Sequence, residues 1–197
     1  MNKLYAVLYP FVWIYMKLLH PWKAVGAENV PEGAALLCGN HSTLGDPLYV
    51  VCCLGWRRQA HVMAKEELMK IPVLGFLLRK AGIFGVKRGK ADVGALKEAM
   101  RILRGGEKLL MFPQGTRVKE GEVSEAHTGA AMFATRTGAP VVPVYIPVKK
   151  RRFRKTTVVF GAPYHPEFEG RKPTPEDYQR IADDLMGRIE ALEGQAV

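Results

Sequence analysis

A histidine and an aspartate five positions apart, His41 and Asp46, could act together on a hydroxyl group. An imidazole whose second nitrogen donates a hydrogen bond to a carboxylate is held in one orientation and one tautomer. It also becomes more basic, so it can remove the proton of a hydroxyl. The alternative is an ordinary loop histidine beside an aspartate that only caps a helix. These two residues alone favour that alternative, because helix caps are common.

The pair lies in a predicted strand-to-helix turn. The apolar residues 34–39 before it predict a short buried strand, and residues 48–54 after it predict a helix. Pro47 suits the first helical position, where its missing N–H would have no partner, and Asp46 is then predicted to be the N-cap. The loop between His41 and Asp46 has only four residues, one of them glycine. It is therefore short enough to bring the two side chains together.

Two arginines follow two other predicted strands and could bind an anion. Arg88 comes beside glycines, at the end of a short strand predicted within residues 81–89. Arg117 follows a strand predicted at residues 108–112 and a turn at residues 113–116. The proline and glycine of that turn expose backbone amides and a hydroxyl, which are the components of an anion site. Either arginine could be a surface charge, but two arginines at separate strand ends favour an anion site.

Strands alternate with helices along the chain, which predicts a single α/β domain with a mixed, largely parallel sheet flanked by helices. Pro143 favours an edge position or a bulge for the strand at residues 141–146. The apolar residues 71–78 predict a buried helix or, less simply, a helix that faces an apolar ligand. Residues 174–192 predict a final helix with a cap, a proline and two acids in its first turn. Ligands of such folds bind at the carboxyl ends of strands, where the three turns are predicted to lie.

The first residues predict a segment that associates with a membrane. Residues 4–16 are uncharged and aromatic, with Lys17 next to them. They are shorter than the roughly 20 residues that span a bilayer, so they favour a helix lying in the membrane interface. A core helix is one alternative; a signal peptide cleaved near residues 24–26 is another, which the tyrosines and tryptophans disfavour. The chain is thus divided into a membrane-associating segment, residues 1–22, and a domain, residues 23–197.

Charge and cysteine content narrow the class of partner. The chain has 197 residues and a net charge of +10, so anionic partners are expected. Six of the positive charges lie in residues 149–155, and without them the net charge would be +4. This run is either a solvated loop or a binding patch; no nucleic-acid-binding motif accompanies it, and nucleic acid is not an expected partner. Three cysteines without a paired spacing favour a reduced compartment, and Cys38 is interpreted as a core residue instead of a nucleophile.

Four short blocks, in this order and spacing, resemble those of the 1-acylglycerol-3-phosphate acyltransferases, the lysophosphatidic acid acyltransferase family. Asn40 and His41 through Asp46 form the first block, and Gln114 lies in the third. The histidine and aspartate alone are a weak signal, but the third block makes the resemblance specific. The blocks are residues 40–46, 82–88, 112–117 and 141–143.

The resemblance implies transfer of an acyl group from a thioester, on coenzyme A or acyl carrier protein, to the free hydroxyl of a lysophospholipid. In the family's terms His41 is the general base and Asp46 orients it. The acceptor phosphate is held by the residues of the second and third blocks, namely Arg88, Arg117, Gly115 and Thr116. Backbone amides near Gly115 could also stabilise the oxyanion of the tetrahedral intermediate by hydrogen bonding. No bound cofactor or metal is implied, and the location is the cytoplasmic face of the cell membrane, with a peripheral or monotopic attachment to anionic lipid.

One departure from the family concerns Gln114, where relatives usually have glutamate. It puts the acceptor in question more than the reaction, so glycerol 3-phosphate or another lysolipid stays an alternative acceptor. A non-catalytic lipid-binding module on the same fold is a further alternative, which the intact His41 and Asp46 disfavour. His127 is interpreted as a loop histidine outside the site.

Overall fold

Helices and strands alternate through the part of the chain that the structure, a computed structural model, describes: residues 3–87, 92–115 and 128–196. The helices are α1 Lys3–Leu19, α2 Asp46–Leu54, α3 Glu66–Met69, α4 Leu74–Lys80, α5 Val93–Arg104, α6 Gly129–Thr137 and α7 Pro175–Glu190, with 3-10 turns at Ala27–Asn29 and Glu193–Gln195. The strands are β1 Trp22–Val25, β2 Ala35–Gly39, β3 Ala60–Lys65, β4 Ile83–Val86, β5 Lys108–Met111, β6 Val141–Tyr145 and β7 Thr156–Phe160.

The strands form a seven-stranded sheet in the order β1-β7-β6-β2-β5-β3-β4. Every neighbouring pair is parallel except β6 and β7, which are antiparallel. The predicted single α/β domain with a mixed, largely parallel sheet is therefore confirmed. Because β1 and β7 run against the other five strands, they begin at the edge where those five end.

The two faces of the sheet are covered by different helices, and β2 shows how the sequence supplies both faces. Leu36 and Cys38 pack in a core with residues of α5, α6 and α7. Ala35 and Leu37 point the other way and pack with residues of α1 and α2. Successive side chains of a strand alternate between faces, so a strand covered on both sides must be apolar throughout. This explains the unbroken apolar run that predicted β2.

The end of α1 meets the loop between β6 and β7 at the carboxyl edge of the five parallel strands. The backbone N–H of Phe153 donates to the carbonyl of Leu19 at 2.9 Å, and that of Thr156 donates to Pro21 at 2.9 Å. The basic run, which occupies this loop, is thereby fixed to the end of the first helix. The basic β6–β7 loop and the end of α1 are consequently adjacent in the structure.

One face of α1 is buried and the other carries exposed apolar side chains. Tyr9 and Met16 are buried, whereas Val7, Phe11 and Leu18 are exposed. The core-helix alternative therefore holds for one face. In the described part of the chain, no helix has both the length and the hydropathy to cross a membrane.

The final helix begins as its sequence predicts. The Thr174 side chain accepts a hydrogen bond from the backbone N–H of Asp177, and the Asp177 side chain accepts one from the N–H of Thr174. This reciprocal capping satisfies two amides that would otherwise lack partners at the start of α7.

Pro143 does not lie in an edge strand, because β6 is flanked by β7 and β2. Its carbonyl accepts from the N–H of Gly161 on the β7 side, so its nitrogen, which has no hydrogen, also faces that side. Past this point the pairing slips by one residue, from Val144 opposite Phe160 to Val141 opposite Tyr164. The edge prediction was wrong, but the bulge alternative describes this slip.

Burial of residues 71–78 was also the wrong interpretation. Ile71, Val73, Leu74 and Phe76 are exposed, Val73 to 74%. The physical reason is position: the seven-residue α4 packs mainly against α3 and against β4, the outermost strand, where there is no core to enter. The other alternative, a helix that faces an apolar ligand, stays a prediction.

Candidate active site

His41 and Asp46 are in contact at the carboxyl end of β2. His41 Nδ1 and Asp46 Oδ2 lie 3.0 Å apart, and both residues are buried. The predicted proximity is thus confirmed, and its cause is local. The strand ends at Gly39, the helix begins at Asp46, and the chain between them is too short to separate the two side chains.

Asp46 is the first residue of α2 and not its N-cap, which is Gly45. Its carboxylate turns back to the preceding loop instead of forward into the helix. Oδ2 accepts from the backbone N–H groups of Ser42 at 2.7 Å and Thr43 at 2.8 Å, and Oδ1 accepts from the Thr43 hydroxyl at 2.6 Å. The N-cap prediction was wrong because these loop amides offer the carboxylate partners that the helix would have offered a cap residue. The loop is wrapped around the carboxylate, which is therefore fixed.

Lys150 completes the surroundings of Asp46. Its Nζ lies 2.8 Å from Asp46 Oδ1 and donates to the Ser42 hydroxyl at 2.8 Å. The lysine side chain is only 7% exposed. Nothing in the sequence pattern distinguishes it from its basic neighbours. The one available signal is that it follows the end of β6, so it emerges at the same sheet edge as His41.

The surroundings of Asp46 favour its ionised form. Burial alone would raise its pKa, but the hydrogen bond from His41, the nearby Lys150 ammonium and the Thr43 hydroxyl outweigh burial and hold the pKa well below its usual range. An ionised carboxylate can only accept hydrogen bonds, so Nδ1 of a neutral His41 is assigned the proton. The lone pair is then on Nε2, which is free to accept a proton from a substrate.

Phe112 and Gln114, after β5, hold His41 from the side. The Phe112 ring stacks on the imidazole, with ring centroids 4.1 Å apart and planes 21° apart. Gln114 is buried, and its Oε1 accepts from the backbone N–H of His41 at 3.0 Å. Gln114 therefore contacts the main chain of the histidine, a role that an amide fills as well as a carboxylate.

Asn40 joins the ends of β2 and β6. Its Nδ2 donates to the carbonyl of Ile146 and its Oδ1 accepts from the N–H of Ile146, both at 2.8 Å. The side chain thus acts as one more pair of the sheet ladder. This fixes His41, the next residue, relative to the loop that carries Lys150.

The predicted anion site is only partly within the described residues. Arg88, Thr116 and Arg117 lie outside them. Gly115, at φ 64°, closes the turn after β5, and its N–H donates to the carbonyl of Phe112 at 3.0 Å. That amide is consequently engaged inside the turn and does not face an oxyanion. Arg117 follows β5, which is the neighbour of β2 in the sheet. Arg88 follows β4, a strand that lies three strand spacings, or about 14 Å, from β2.

Cys38 is an inert core residue. It is fully buried in β2, and burial raises the pKa of its thiol. In the described ranges, no group of three or more histidine, cysteine or acidic side chains is placed to hold a metal ion.

Comparison with known proteins gives consistent matches. A family model described as Acyltransferase matches residues 22–147. The 1-acyl-sn-glycerol-3-phosphate acyltransferase of Bacillus subtilis (strain 168) is 30% identical over 181 residues, 88% of each chain. A chloroplastic 1-acyl-sn-glycerol-3-phosphate acyltransferase of Arabidopsis thaliana, LPAT1, is 31% identical over 141 residues, 70% of this chain and 36% of the relative. This chain spans only 35–48% of the length of three of the curated relatives that it matches.

Among solved structures, the chain resembles the crystal structure of the 1-acyl-sn-glycerophosphate acyltransferase PlsC from Thermotoga maritima. The TM-score is 0.69 at 26% sequence identity, and the match covers 98% of this chain and 79% of that one. The structural match therefore extends over nearly the whole of this chain.

Proposed function

The chain belongs to the acyltransferase family, and from that premise we propose that it transfers a fatty acyl group from a thioester to the free hydroxyl of 1-acylglycerol 3-phosphate, giving phosphatidic acid. The observation that carries this proposal is the hydrogen bond between His41 and Asp46 at the carboxyl edge of the sheet. A hydroxyl nucleophile needs a base, and this pair supplies one with a fixed tautomer. A phosphorylated acceptor also suits the basic charge of the chain.

His41 Nε2 is proposed to take the proton of the acceptor hydroxyl as its oxygen attacks the thioester carbonyl. The tetrahedral intermediate then expels the thiolate, which recovers the proton from the imidazolium. Asp46 stabilises the positive imidazolium and keeps its ring in place throughout. The stacked Phe112 covers one face of the imidazole, so the ring keeps the orientation that the carboxylate gives it.

The acceptor phosphate is proposed to lie beyond β5, held by Arg117 and Arg88. A guanidinium binds phosphate through two parallel hydrogen bonds, which suits recognition of one headgroup. Gly115 contributes the turn that leads the chain to Thr116 and Arg117. The contact of Gln114 with the His41 backbone accounts for Gln114 without a change of acceptor, so no observation favours glycerol 3-phosphate or another lysolipid.

Coenzyme A or acyl carrier protein is proposed as the donor, on the cytoplasmic face of the membrane. Both carriers are anionic and would be attracted by the basic surface near the site. The three free cysteines fit a reduced compartment.

Replacing Arg117 by methionine should raise the KM for 1-acylglycerol 3-phosphate by about 10- to 100-fold, because charge-assisted hydrogen bonds contribute roughly 1.5–3 kcal/mol. The assay is acyl transfer in detergent micelles from each donor, with the phosphorylated acceptor and with a monoacylglycerol that has no phosphate. The unaltered protein should use only the phosphorylated acceptor. Arg104→Met, an exposed change at the end of α5, is the matched control. Equal use of both acceptors would refute the proposed substrate.

Residues 1–22 and the basic β6–β7 loop are proposed to dock together on anionic lipid. The end of α1, a helix with exposed apolar side chains, is hydrogen-bonded to this loop. Phe153, 70% exposed, lies at the centre of the basic run. A cavity of about 210 Å³ beside it is lined by Lys149, Arg151, Arg154 and Lys155. Basic side chains around an exposed apolar tip suit a surface of phosphate headgroups over acyl chains.

Changing Arg151 and Arg154 together to glutamine should weaken binding to anionic vesicles by about 2 kcal/mol, at about 1 kcal/mol per basic residue. Flotation with vesicles that contain or lack anionic lipid measures the loss, which should diminish at high salt. The matched control is Arg171→Gln with Lys172→Gln, two exposed cations in the segment that precedes α7. Equal loss in the two double variants would argue against a local docking site.

A further inference from the structure

Lys150 differs from the rest of the basic run in where its charge lies. The other five basic residues of the run are exposed, whereas the Lys150 side chain is 7% exposed and enters the site. It lies just beyond the residues that the family model matches, which end at 147. Burying an ammonium is costly unless a carboxylate and further hydrogen bonds compensate it. Asp46 and the Ser42 hydroxyl provide that compensation here.

The two oxygens of Asp46 have different partners. Oδ2 faces His41 and the loop amides, while Oδ1 faces the Thr43 hydroxyl and Lys150. A carboxylate held at both oxygens cannot rotate without breaking several hydrogen bonds. Lys150 therefore helps to fix the orientation of the His41 ring through Asp46, without contacting His41 itself.

Lys150 also changes the charge that His41 experiences. With the lysine present, the buried aspartate and ammonium sum to zero beside the imidazole; without it, a full negative charge would remain. Among the described residues, the titratable groups facing this cluster are His41, Asp46, Lys150 and the Tyr49 hydroxyl, whose pKa is raised, mainly by burial. A lone carboxylate would favour the protonated imidazole, which cannot act as a base.

We infer that Lys150 is a positioning residue of the active site, which neutralises Asp46, fixes its rotation and so keeps the His41 imidazole available as the unprotonated base. The part of this inference that concerns the base rests on the proposed function. The charge network itself does not, because it is a property of the folded chain. The loop that carries the docking surface thereby also carries a component of the catalytic site.

Lys150→Met should move the acid limb of the pH profile of kcat/KM upward by about one pH unit, the usual scale for loss of a nearby charge. On the acid side of the profile this makes the variant about tenfold slower, and raising the pH restores most of the rate. Lys150→Arg, which keeps the charge, should leave the limb near its original position. Lys97→Met, an exposed change on α5, is the control for loss of one positive charge.

A second measurement is independent of acyl transfer. The pKa of Asp46 is lowered in the folded protein, so its ionisation stabilises the fold above about pH 4, and this stabilisation is lost as the pH falls. Part of it comes from Lys150. The difference in urea midpoint between the unaltered protein and Lys150→Met should therefore be largest above about pH 5 and shrink toward acid. A lysine that only packs would give the same difference at every pH.

A midpoint difference that shrinks toward acid, together with a shifted acid limb, supports the inference. A difference that does not depend on pH, or an acid limb that stays in place in Lys150→Met, overturns it. If the unaltered protein transfers no acyl group, the proposed function fails by itself, and the urea measurement alone decides whether the charge network exists.

Discussion

Converting His41 to alanine is expected to lower the rate of acyl transfer by about a hundred- to ten-thousand-fold, the range typical of losing a general base. The expectation rests on a buried imidazole whose Nδ1 contacts Asp46 and whose ring stacks on Phe112, so that Nε2 is the nitrogen that would accept the proton. The protein should still fold, because His41 lies at a strand end and outside both apolar cores. Initial rates with saturating donor and acceptor, beside a thermal unfolding curve, make the measurement.

His165→Ala, an exposed histidine between β7 and α7, is the matched control and should transfer acyl groups at the normal rate. A His41→Ala protein that retained a rate within severalfold of normal would rule out His41 as the base. It would leave the family membership of the chain intact, because that rests on the match over residues 22–147.

Asp46→Asn should be nearly as damaging to the rate and should also destabilise the fold. A carboxamide has one acceptor oxygen, so it cannot accept from His41, from the loop amides and from Lys150 together. The ammonium of Lys150 would then be buried without its counter-charge, and breaking a buried ion pair in this way typically costs about 3–5 kcal/mol. Urea unfolding at pH 7 measures the loss of stability, and initial rates measure the loss of transfer.

The double variant Asp46→Asn with Lys150→Met separates the two causes. Removing the unpaired ammonium should recover part of the lost stability. It should recover none of the lost rate if His41 is the base, since His41 would still lack its carboxylate. Asp183→Asn, an exposed change on α7, serves as the charge control. Full recovery of the rate in the double variant would mean that Asp46 does not orient His41.

The pair could be predicted from the sequence because its contact is local. Four residues separate His41 from Asp46, so chain connectivity brings the side chains together once a strand and a helix flank them. The α7 start was predictable for the same reason, since Thr174 and Asp177 satisfy each other's amides within one turn. The largely parallel sheet was predictable from the alternation of strands and helices, because that alternation is visible in the order of segments along the sequence.

The contacts that were missed connect distant parts of the chain. Gln114 and His41 are 73 residues apart, and Lys150 reaches Asp46 across a comparable span. No periodicity distinguishes Lys150 in the sequence, because the neighbouring residues have the same charge. They differ from Lys150 only in that their side chains point to solvent. The exposure of α4 was missed because hydrophobicity predicts burial only where a core is within reach, and β4 is the last strand of the sheet.

The pairing of β1 with β7 also sets an order of events during synthesis. Trp22 pairs with Thr156, so β1 lies at the edge of the sheet and has no strand to join until the ribosome has made about 130 further residues. At 5–20 residues per second that interval is roughly 7–27 seconds. For most of this interval Asp46 also lacks Lys150, which is made only a few residues before β7. The outermost strand β1 and the charge network around Asp46 can therefore be completed only late in synthesis.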